Sequence, residues 1–204
     1  MTRHTCTTLA IAAVLAASSL ACRAADGDAA AGEAIADKIC ALCHGDSGNS
    51  TDPQYPRLAG QTVTYLSKQL TDYFALRREN AKMLQYLARF KPSDIPDLAA
   101  YYAQQPAEPV EVKDAKLAAQ GRRLFQEGDA QRGVPACAAC HEAGAKGDGR
   151  YPRLAVQHPD YTLLQLQKFS SGERSNDKGR VMRNVAARLT PADMAALAEY
   201  LAAP

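Results

Sequence analysis

The sequence predicts an all-α protein made of two similar domains in tandem, and three observations predict it. One cysteine and histidine motif occurs twice, nearly a hundred residues apart. The segments that follow the two motifs repeat in the same order, which indicates an internal duplication. Apolar residues in these segments recur at helical spacing, and runs typical of β-strands are scarce.

The first 24 residues resemble an export signal. Arg3 supplies a positive charge, residues 9–20 form a short apolar run, and small residues follow, so cleavage is expected after Ala24. The run is too short to span a bilayer, and a buried N-terminal helix is the alternative. Residues 19–22 (SLAC) also resemble a lipoprotein cleavage box, which leaves lipid anchoring at Cys22 as a minor alternative. We therefore expect export to the periplasm.

The repeated motif is C-x-x-C-H, the attachment pattern of c-type haem. Its two copies are Cys40, Cys43, His44 and Cys137, Cys140, His141. Each pair of thiols can add to the two vinyl groups of one haem, and the histidine then lies beneath the iron as proximal ligand. A redox disulfide would be expected in a βαβ setting, and a zinc site would have its cysteine pairs roughly 15–20 residues apart. The motifs therefore predict two haem c groups, each with iron, and an electron-transfer function.

The duplication divides the chain. Residues 55–59 (YPRLA) recur as residues 151–155, and residues 83–101 align with residues 182–200 without a gap. Between the halves, residues 106–112 contain two of the chain's prolines and are expected to form an extended linker. The predicted domains are residues 25–105 and 113–204.

Each half has the same predicted helices in the same order. A helix leads into the cysteine pair, a second follows the loop after the histidine, and a third ends the domain. The first two helices are predicted at residues 33–39 and 62–76 in one half, and at 115–126 and 161–169 in the other. The last begins near Ser93 or at Thr190, where Asp193 completes a capping-box pattern. Its apolar positions, expected to pack in the core, are Leu98, Tyr101, Leu197 and Tyr200.

Methionine is the sixth ligand typical of electron carriers, because its soft thioether favours ferrous iron. The first half after the signal contains Met83, and the second contains Met182 and Met194. Met182 aligns with Met83, whereas Met194 aligns with Ile95 and is expected to pack in the core. The aligned methionines follow their histidines by 39 and 41 residues. We therefore expect Met83 and Met182 to be the second axial ligands.

A ligating imidazole usually donates its second N–H to a carboxylate or a carbonyl. Pro56 and Pro152 follow the two histidines by 12 and 11 residues, so their carbonyls are candidate acceptors, with an ordinary rigid turn as the alternative. Arg57 and Arg153 are candidate partners of haem propionates, or else solvated surface charges. His158 has no counterpart in the other half, and we expect it to lie at the surface.

These features resemble the cytochrome c4 family, periplasmic dihaem proteins built from two class I cytochrome c domains. The resemblance covers essentially all of residues 25–204. Residues 133–141 (GVPACAACH), the doubled Pro-Arg-Leu-Ala segment and residues 169–174 (FSSGER) carry it. It implies two tandem cytochrome c-like domains, each wrapped around one covalently bound haem, with His–Met ligation of both irons. It also implies that the haems lie close together and that electrons pass towards a terminal oxidase of a respiratory chain.

The first half departs from this pattern ahead of Met83. Residues 74–83 lack the glycine of the second copy, and the chain is three residues shorter from Arg78 to Met83 than from Arg174 to Met182. We therefore expect an altered loop at the first haem and a more labile ligand in Met83.

We expect an electron carrier rather than an enzyme. Its partners would be a redox donor and a terminal oxidase or similar acceptor, with peripheral membrane association through the oxidase. The net charge of +2 gives no indication of a nucleic-acid partner. The alternatives are a haem subunit of a larger oxidase or dehydrogenase complex, and a dihaem peroxidase or sulfur-compound oxidoreductase. A cysteine-ligated catalytic haem is excluded, because haem attachment uses all four cysteines after the signal.

Overall fold

The computed structural model describes residues 27–204, which form one helical unit from each half of the chain. The first unit contains α1 (Ala29–Ile35), α2 (Ala41–His44), α3 (Val63–Phe74), α4 (Ala81–Leu84) and α5 (Ile95–Gln104). The second contains α6 (Ala115–Glu127), α7 (Ala138–His141), α8 (Pro159–Ser171), α9 (Val181–Ala186) and α10 (Pro191–Ala202). Within the described residues, the β-type pairing is limited to an isolated antiparallel bridge between Asp129 and Val134. The all-α prediction is confirmed, while the expected signal and Cys22 lie outside the described residues.

Side-chain caps explain where several of these helices begin. Asp28, Thr62 and Asp114 each accept a hydrogen bond from a backbone N–H in the first turn of α1, α3 and α6. Thr190 and Asp193 form the predicted capping box at the start of α10. Each cap satisfies a donor that the helix itself cannot, and each typically contributes about 1 kcal/mol.

The helix that leads into the first cysteine pair differs most from its prediction at residues 33–39. α1 starts four residues earlier, and a π-helical turn at Ala36–Cys40 joins it to α2. A π turn shifts the helical register by widening one turn, and such turns often lie at functional sites. In the second half, α6 ends at Glu127, and a loop leads from there to Cys137.

In each half the helix before the cysteine pair crosses the last helix at very short range. A Cβ atom on Gly32 of α1 would lie 2.1 Å from the Asp97 carbonyl oxygen of α5. A Cβ atom on Gly121 of α6 would lie 1.9 Å from the Ala196 carbonyl oxygen of α10. Glycine is required at both crossings, because any side chain would push the helices apart.

Each unit has its own apolar core. Leu98, Tyr101, Leu197 and Tyr200 are buried, as the helical spacing predicted. Met194 is buried in the core of the second unit, which confirms the expectation drawn from its alignment with an isoleucine. The last helix of each half therefore contributes buried residues to the core of its unit.

The chain between α5 and α6 contains no helix and lies along the first unit. The side-chain amide of Asn49 donates to the Pro106 carbonyl at 2.9 Å, and the Glu108 amide donates to the Asn49 side-chain oxygen at 3.0 Å. Among the helices described in residues 27–204, none has the length and apolar character needed to cross a membrane.

Candidate haem-binding sites

The first candidate site lies where α2 ends. α2 carries Cys43 and His44, and Cys40 directly precedes it. His44 is only 7% exposed, and its Nδ1 lies 2.8 Å from the Pro56 carbonyl oxygen. A carbonyl can only accept, so Nδ1 carries the proton, and burial lowers the pKa of His44 and keeps the ring neutral. A neutral ring that donates through Nδ1 has its lone pair on Nε2, the form that binds iron.

The second candidate site repeats this arrangement at α7. α7 carries Cys140 and His141, and Cys137 directly precedes it. His141 is 6% exposed, and its Nδ1 donates to the Pro152 carbonyl at 2.9 Å. Burial lowers the pKa of His141, so this ring is also neutral. The carbonyls of Pro56 and Pro152 thus accept the hydrogen bonds from the two histidines.

The cysteine pairs suit covalent attachment. Each pair is separated by about one helical turn, and all four side chains are partly buried. Burial raises the pKa of Cys137 to about 11, and it also raises the pKa of Cys40. These two thiols are therefore uncharged at neutral pH.

Two arginines directly follow the proline carbonyls, and both are partly buried. Arg57 donates through Nη1 to the Glu108 carbonyl at 2.7 Å, and its buried Nε has no partner among the described residues. The Glu108 carboxylate is 3.7 Å from Arg57 and largely exposed. Burial lowers the pKa of both Arg57 and Arg153. Partly buried cations with unused donors fit haem propionates, which would supply the missing negative charge.

Met83 and Met182 both lie on short helices, α4 and α9, and both are partly buried. The Asn80 side chain accepts from the Met83 amide at 3.2 Å. Asp177 accepts from both the amide and the side chain of Arg183, the neighbour of Met182, at 3.0 and 2.7 Å. The backbone around each methionine is therefore anchored by a polar residue, while axial ligation by both methionines stays a prediction.

The turn after α3 shows what the sequence departure changes. Leu76 has a φ of 53°, whereas its counterpart in the second half, Gly172, has a φ of 81°. Glycine adopts this left-handed conformation freely, but an L residue does so at a cost of about 1–2 kcal/mol. The second loop has a left-handed residue of its own, Arg180, with a φ of 59°. In the first half, the strained residue Leu76 therefore lies at the end of α3, whereas in the second half the strained residue Arg180 lies just before α9.

Two glutamines whose contacts the sequence did not predict connect the two sites. The Gln61 side chain accepts from the Arg153 amide at 2.9 Å and donates to the Arg153 carbonyl at 2.9 Å. Gln157 makes the same two bonds with Arg57, at 2.9 and 3.0 Å. Both glutamines lie six residues after the tyrosine that opens the repeated motif, so extending the repeat by two residues would have found them.

A second matched set of contacts joins α3 and α8. Arg78 donates to the Tyr161 hydroxyl at 2.9 Å, and Arg174 donates to the Tyr65 hydroxyl at 3.0 Å. The side-chain oxygen of Gln69 accepts from both arginines, at 2.8 and 3.0 Å. The sequence aligned the two arginines with each other, but it could not show that they cross between the halves.

One expectation is wrong, because His158 is not a surface residue. It is 8% exposed, and its Nε2 donates to the Ser50 carbonyl of the other half at 2.8 Å. His158 directly precedes α8, as Thr62 precedes α3. The packing of one half on the other covers it, which the sequence of one half alone does not reveal.

Comparison with known proteins identifies relatives along the whole described chain. The family model described as cytochrome c matches residues 29–105 and again residues 118–203. Cytochrome c4 of Thiocapsa roseopersicina is 44% identical, over 86% of this chain and 92% of that protein. A thiosulfate dehydrogenase electron acceptor of Thiomonas intermedia is 37% identical, over 80% of this chain and 77% of that protein. The crystal structure of reduced cytochrome c4 from Pseudomonas stutzeri superposes with a TM-score of 0.82 at 38% identity, over 86% of this chain and 97% of that chain.

Proposed function

Because the chain belongs to the cytochrome c4 family and so is a dihaem electron-transfer cytochrome, we propose that it carries electrons in the periplasm towards a terminal oxidase. In this proposal each C-x-x-C-H motif attaches one haem c, and His44 and His141 are the proximal ligands. Met83 and Met182 are the second axial ligands, and Arg57 and Arg153 bind propionates.

The observation that carries this proposal is the duplicated buried imidazole. In both units a neutral histidine donates through Nδ1 to a proline carbonyl and keeps Nε2 available for a metal. The bound haem iron supplies a one-electron redox couple. The chain holds each ring in one tautomer and one orientation, which fixes the basicity of the ligand. Two such sites in units that pack on each other support an electron relay.

The oxidase step is tested with membranes that contain the oxidase. Reduced protein is added to membranes of the source organism, and reoxidation and oxygen uptake are followed together. We expect reoxidation coupled to oxygen uptake, both stopped by an oxidase inhibitor. Protein that stays reduced while the membranes respire with another donor would contradict the assignment of the acceptor.

A second candidate function is to accept electrons from a thiosulfate dehydrogenase. It is favoured by the Thiomonas intermedia relative, which is described as a thiosulfate dehydrogenase electron acceptor. Thiosulfate together with such a dehydrogenase should reduce the protein in this case, and thiosulfate alone should not. Reduction by thiosulfate alone would instead indicate an activity of its own. Turnover of hydrogen peroxide by the reduced protein would favour the peroxidase alternative over an electron carrier.

We further propose that residues 1–24 are a signal removed on export, and that residues 25–105 and 113–204 are domains joined by a linker at 106–112. The intact mass and N-terminal sequence of the protein from the periplasm test this directly. We expect Ala25 at the N-terminus. A lipid-modified Cys22 would indicate anchoring instead.

A further inference from the structure

We propose that Gln61 and Gln157 are positioning residues that tune the haem of the opposite half. Each acts through the proline–arginine peptide that holds the proximal histidine of that half. The inference rests on the proposed role of His44 and His141 as iron ligands. It makes the contact between the halves a determinant of both redox potentials.

The geometry is a continuous chain of hydrogen bonds across one planar peptide. His44 donates through Nδ1 to the Pro56 carbonyl at 2.8 Å. The N–H at the other end of the same peptide unit belongs to Arg57, and it donates to the Gln157 side-chain oxygen at 2.9 Å. One glutamine of the second half is therefore separated from the first proximal ligand by a single conjugated amide.

The same chain is found in the opposite direction. His141 donates to the Pro152 carbonyl at 2.9 Å, and the Arg153 amide of that peptide unit donates to the Gln61 side-chain oxygen at 2.9 Å. Each glutamine oxygen is also held by the backbone N–H of the next residue, at 2.9 Å for Gln61 and 3.0 Å for Gln157. The bonds fix each side-chain amide at the start of a helix, aimed at the other half.

Hydrogen bonds in such a chain polarise one another. When a glutamine oxygen accepts from the arginine N–H, the proline carbonyl becomes a stronger acceptor for the imidazole N–H. The imidazole then becomes more electron-rich, which favours ferric iron and lowers the reduction potential. Gln157 is therefore expected to lower the potential of the first haem, and Gln61 that of the second.

Substitution of Gln157 tests the direction of the effect. Gln157→Leu removes the acceptor and should raise the potential of the first haem. Gln157→Glu places a stronger, charged acceptor against the same N–H and should lower it. In both variants the second-haem potential should move less. The potentials are measured by spectroelectrochemistry, with each couple assigned to its haem by NMR. The Nδ1–H resonance of His44 in the reduced protein should also move in opposite directions in the two variants.

The reciprocal variants and a matched control isolate the peptide contact. Gln61→Leu and Gln61→Glu should shift the reduction potential of the second haem more than that of the first. Together with the Gln157 variants this gives a crossed pattern, in which each glutamine affects mainly the haem of the other half. Gln165 lies in the same contact region, but its oxygen accepts from Arg78 and Arg174 and touches neither proline–arginine peptide. Gln165→Leu and Gln165→Glu should therefore give no crossed pattern, whatever a change of charge does to both potentials.

The outcomes separate this inference from the proposed function. The inference is wrong if the wild-type protein shows both redox couples but the variants do not shift the potentials in the crossed pattern. It is also wrong if the Leu and Glu variants shift a potential in the same direction. Neither result would contradict the proposed dihaem electron carrier. If the Leu variants fail to fold, the Glu variants still test the sign and the crossing. If the histidine resonances of the wild-type protein do not change with the redox state, the ligand assignment is wrong, and this inference is wrong with it.

Discussion

At the scale of single residues, the protein depends on imidazole rings kept neutral in its interior. His44, His141 and His158 are buried, and one ring nitrogen of each lies within 2.9 Å of a backbone carbonyl oxygen. Burial lowers the pKa of all three. In the proposed ligation iron holds the first two rings, which leaves His158 as the one of these three that is free to titrate.

The stability of the packed halves should therefore depend on pH through His158. Its pKa is lower in the folded state than in the unfolded state, where it is about 6.5. The unfolded state binds more protons below that pH, so the free energy of unfolding should be fully maintained above about pH 7 and should fall as the pH drops towards 5, by at most about 1.4 kcal/mol per pH unit. Denaturant unfolding of the haem-bound protein across this range measures it.

His158→Thr is the matched control, because Thr62 occupies the equivalent position and caps α3. The variant should lose the pH dependence between about 5 and 7. The ion-pair and hydrogen-bond partners of Asp72 lower its pKa. Carboxylates of this kind lose their contribution to stability only at more acidic pH. An unchanged slope in the variant would show that His158 is not the titrating group.

At the scale of elements, the two halves differ at the end of the helix that precedes each methionine. Leu76 adopts a left-handed backbone one residue past the cap of α3, where the other half has Gly172. Its side chain is 64% exposed, so little packing compensates for the strain.

Leu76→Gly should therefore stabilise the protein by about 0.5–1 kcal/mol, after the greater unfolded-state entropy of glycine is included. Chemical denaturation measures the change. Ala75→Gly is the control, because Ala75 has an ordinary φ of −90° and should gain nothing. Equal effects of the two substitutions would show that Leu76 is not strained.

The altered first loop should also make Met83 the more easily displaced ligand. Its neighbour Lys82 donates to the Gln54 side chain at 2.7 Å and lies 4.9 Å from the centre of the Tyr55 ring. Once Met83 leaves the iron, the Lys82 amine is a candidate to replace it. In an alkaline titration, the methionine-to-iron charge-transfer band should be lost in two steps. Met83→Ala should abolish the earlier step and Met182→Ala the later one, whereas a single step would contradict the argument.

The sequence predicted three helices in each half because their signals are local, but it did not predict the short helices α4 and α9. Helical spacing, the capping box of Thr190 and Asp193, and the core position of Met194 all depend on near neighbours in the chain. The π turn before Cys40 was not predicted, because no residue type marks it. The contacts of Gln157 and the burial of His158 were missed because they depend on how the two halves pack.

At the scale of the whole molecule, matched polar contacts join the halves into one structure. Arg174 is buried and donates to Tyr65 and Gln69 of the first half and to Gln165 of its own. Buried polar groups that lose their partner are costly, so this cluster should make the two units unfold together.

Arg174→Met should lower the free energy of unfolding by roughly 2–4 kcal/mol and separate the transition into two steps. Absorbance of the haems and circular dichroism during denaturation would reveal the separation. Arg150→Met is the control, since Arg150 is exposed, and it should change stability by less than about 0.5 kcal/mol. A single transition in Arg174→Met would show that the cluster does not couple the halves.

The central claim is that the chain carries two haems of the same ligation and passes single electrons through both. An optical redox titration of the purified protein, followed at the methionine-to-iron charge-transfer band, tests it most directly. We expect two one-electron steps, each removing about half of the band, because in the proposed ligation each half supplies one methionine to one iron. A single step that accounts for one haem, or an oxidised protein without the band, would contradict the claim.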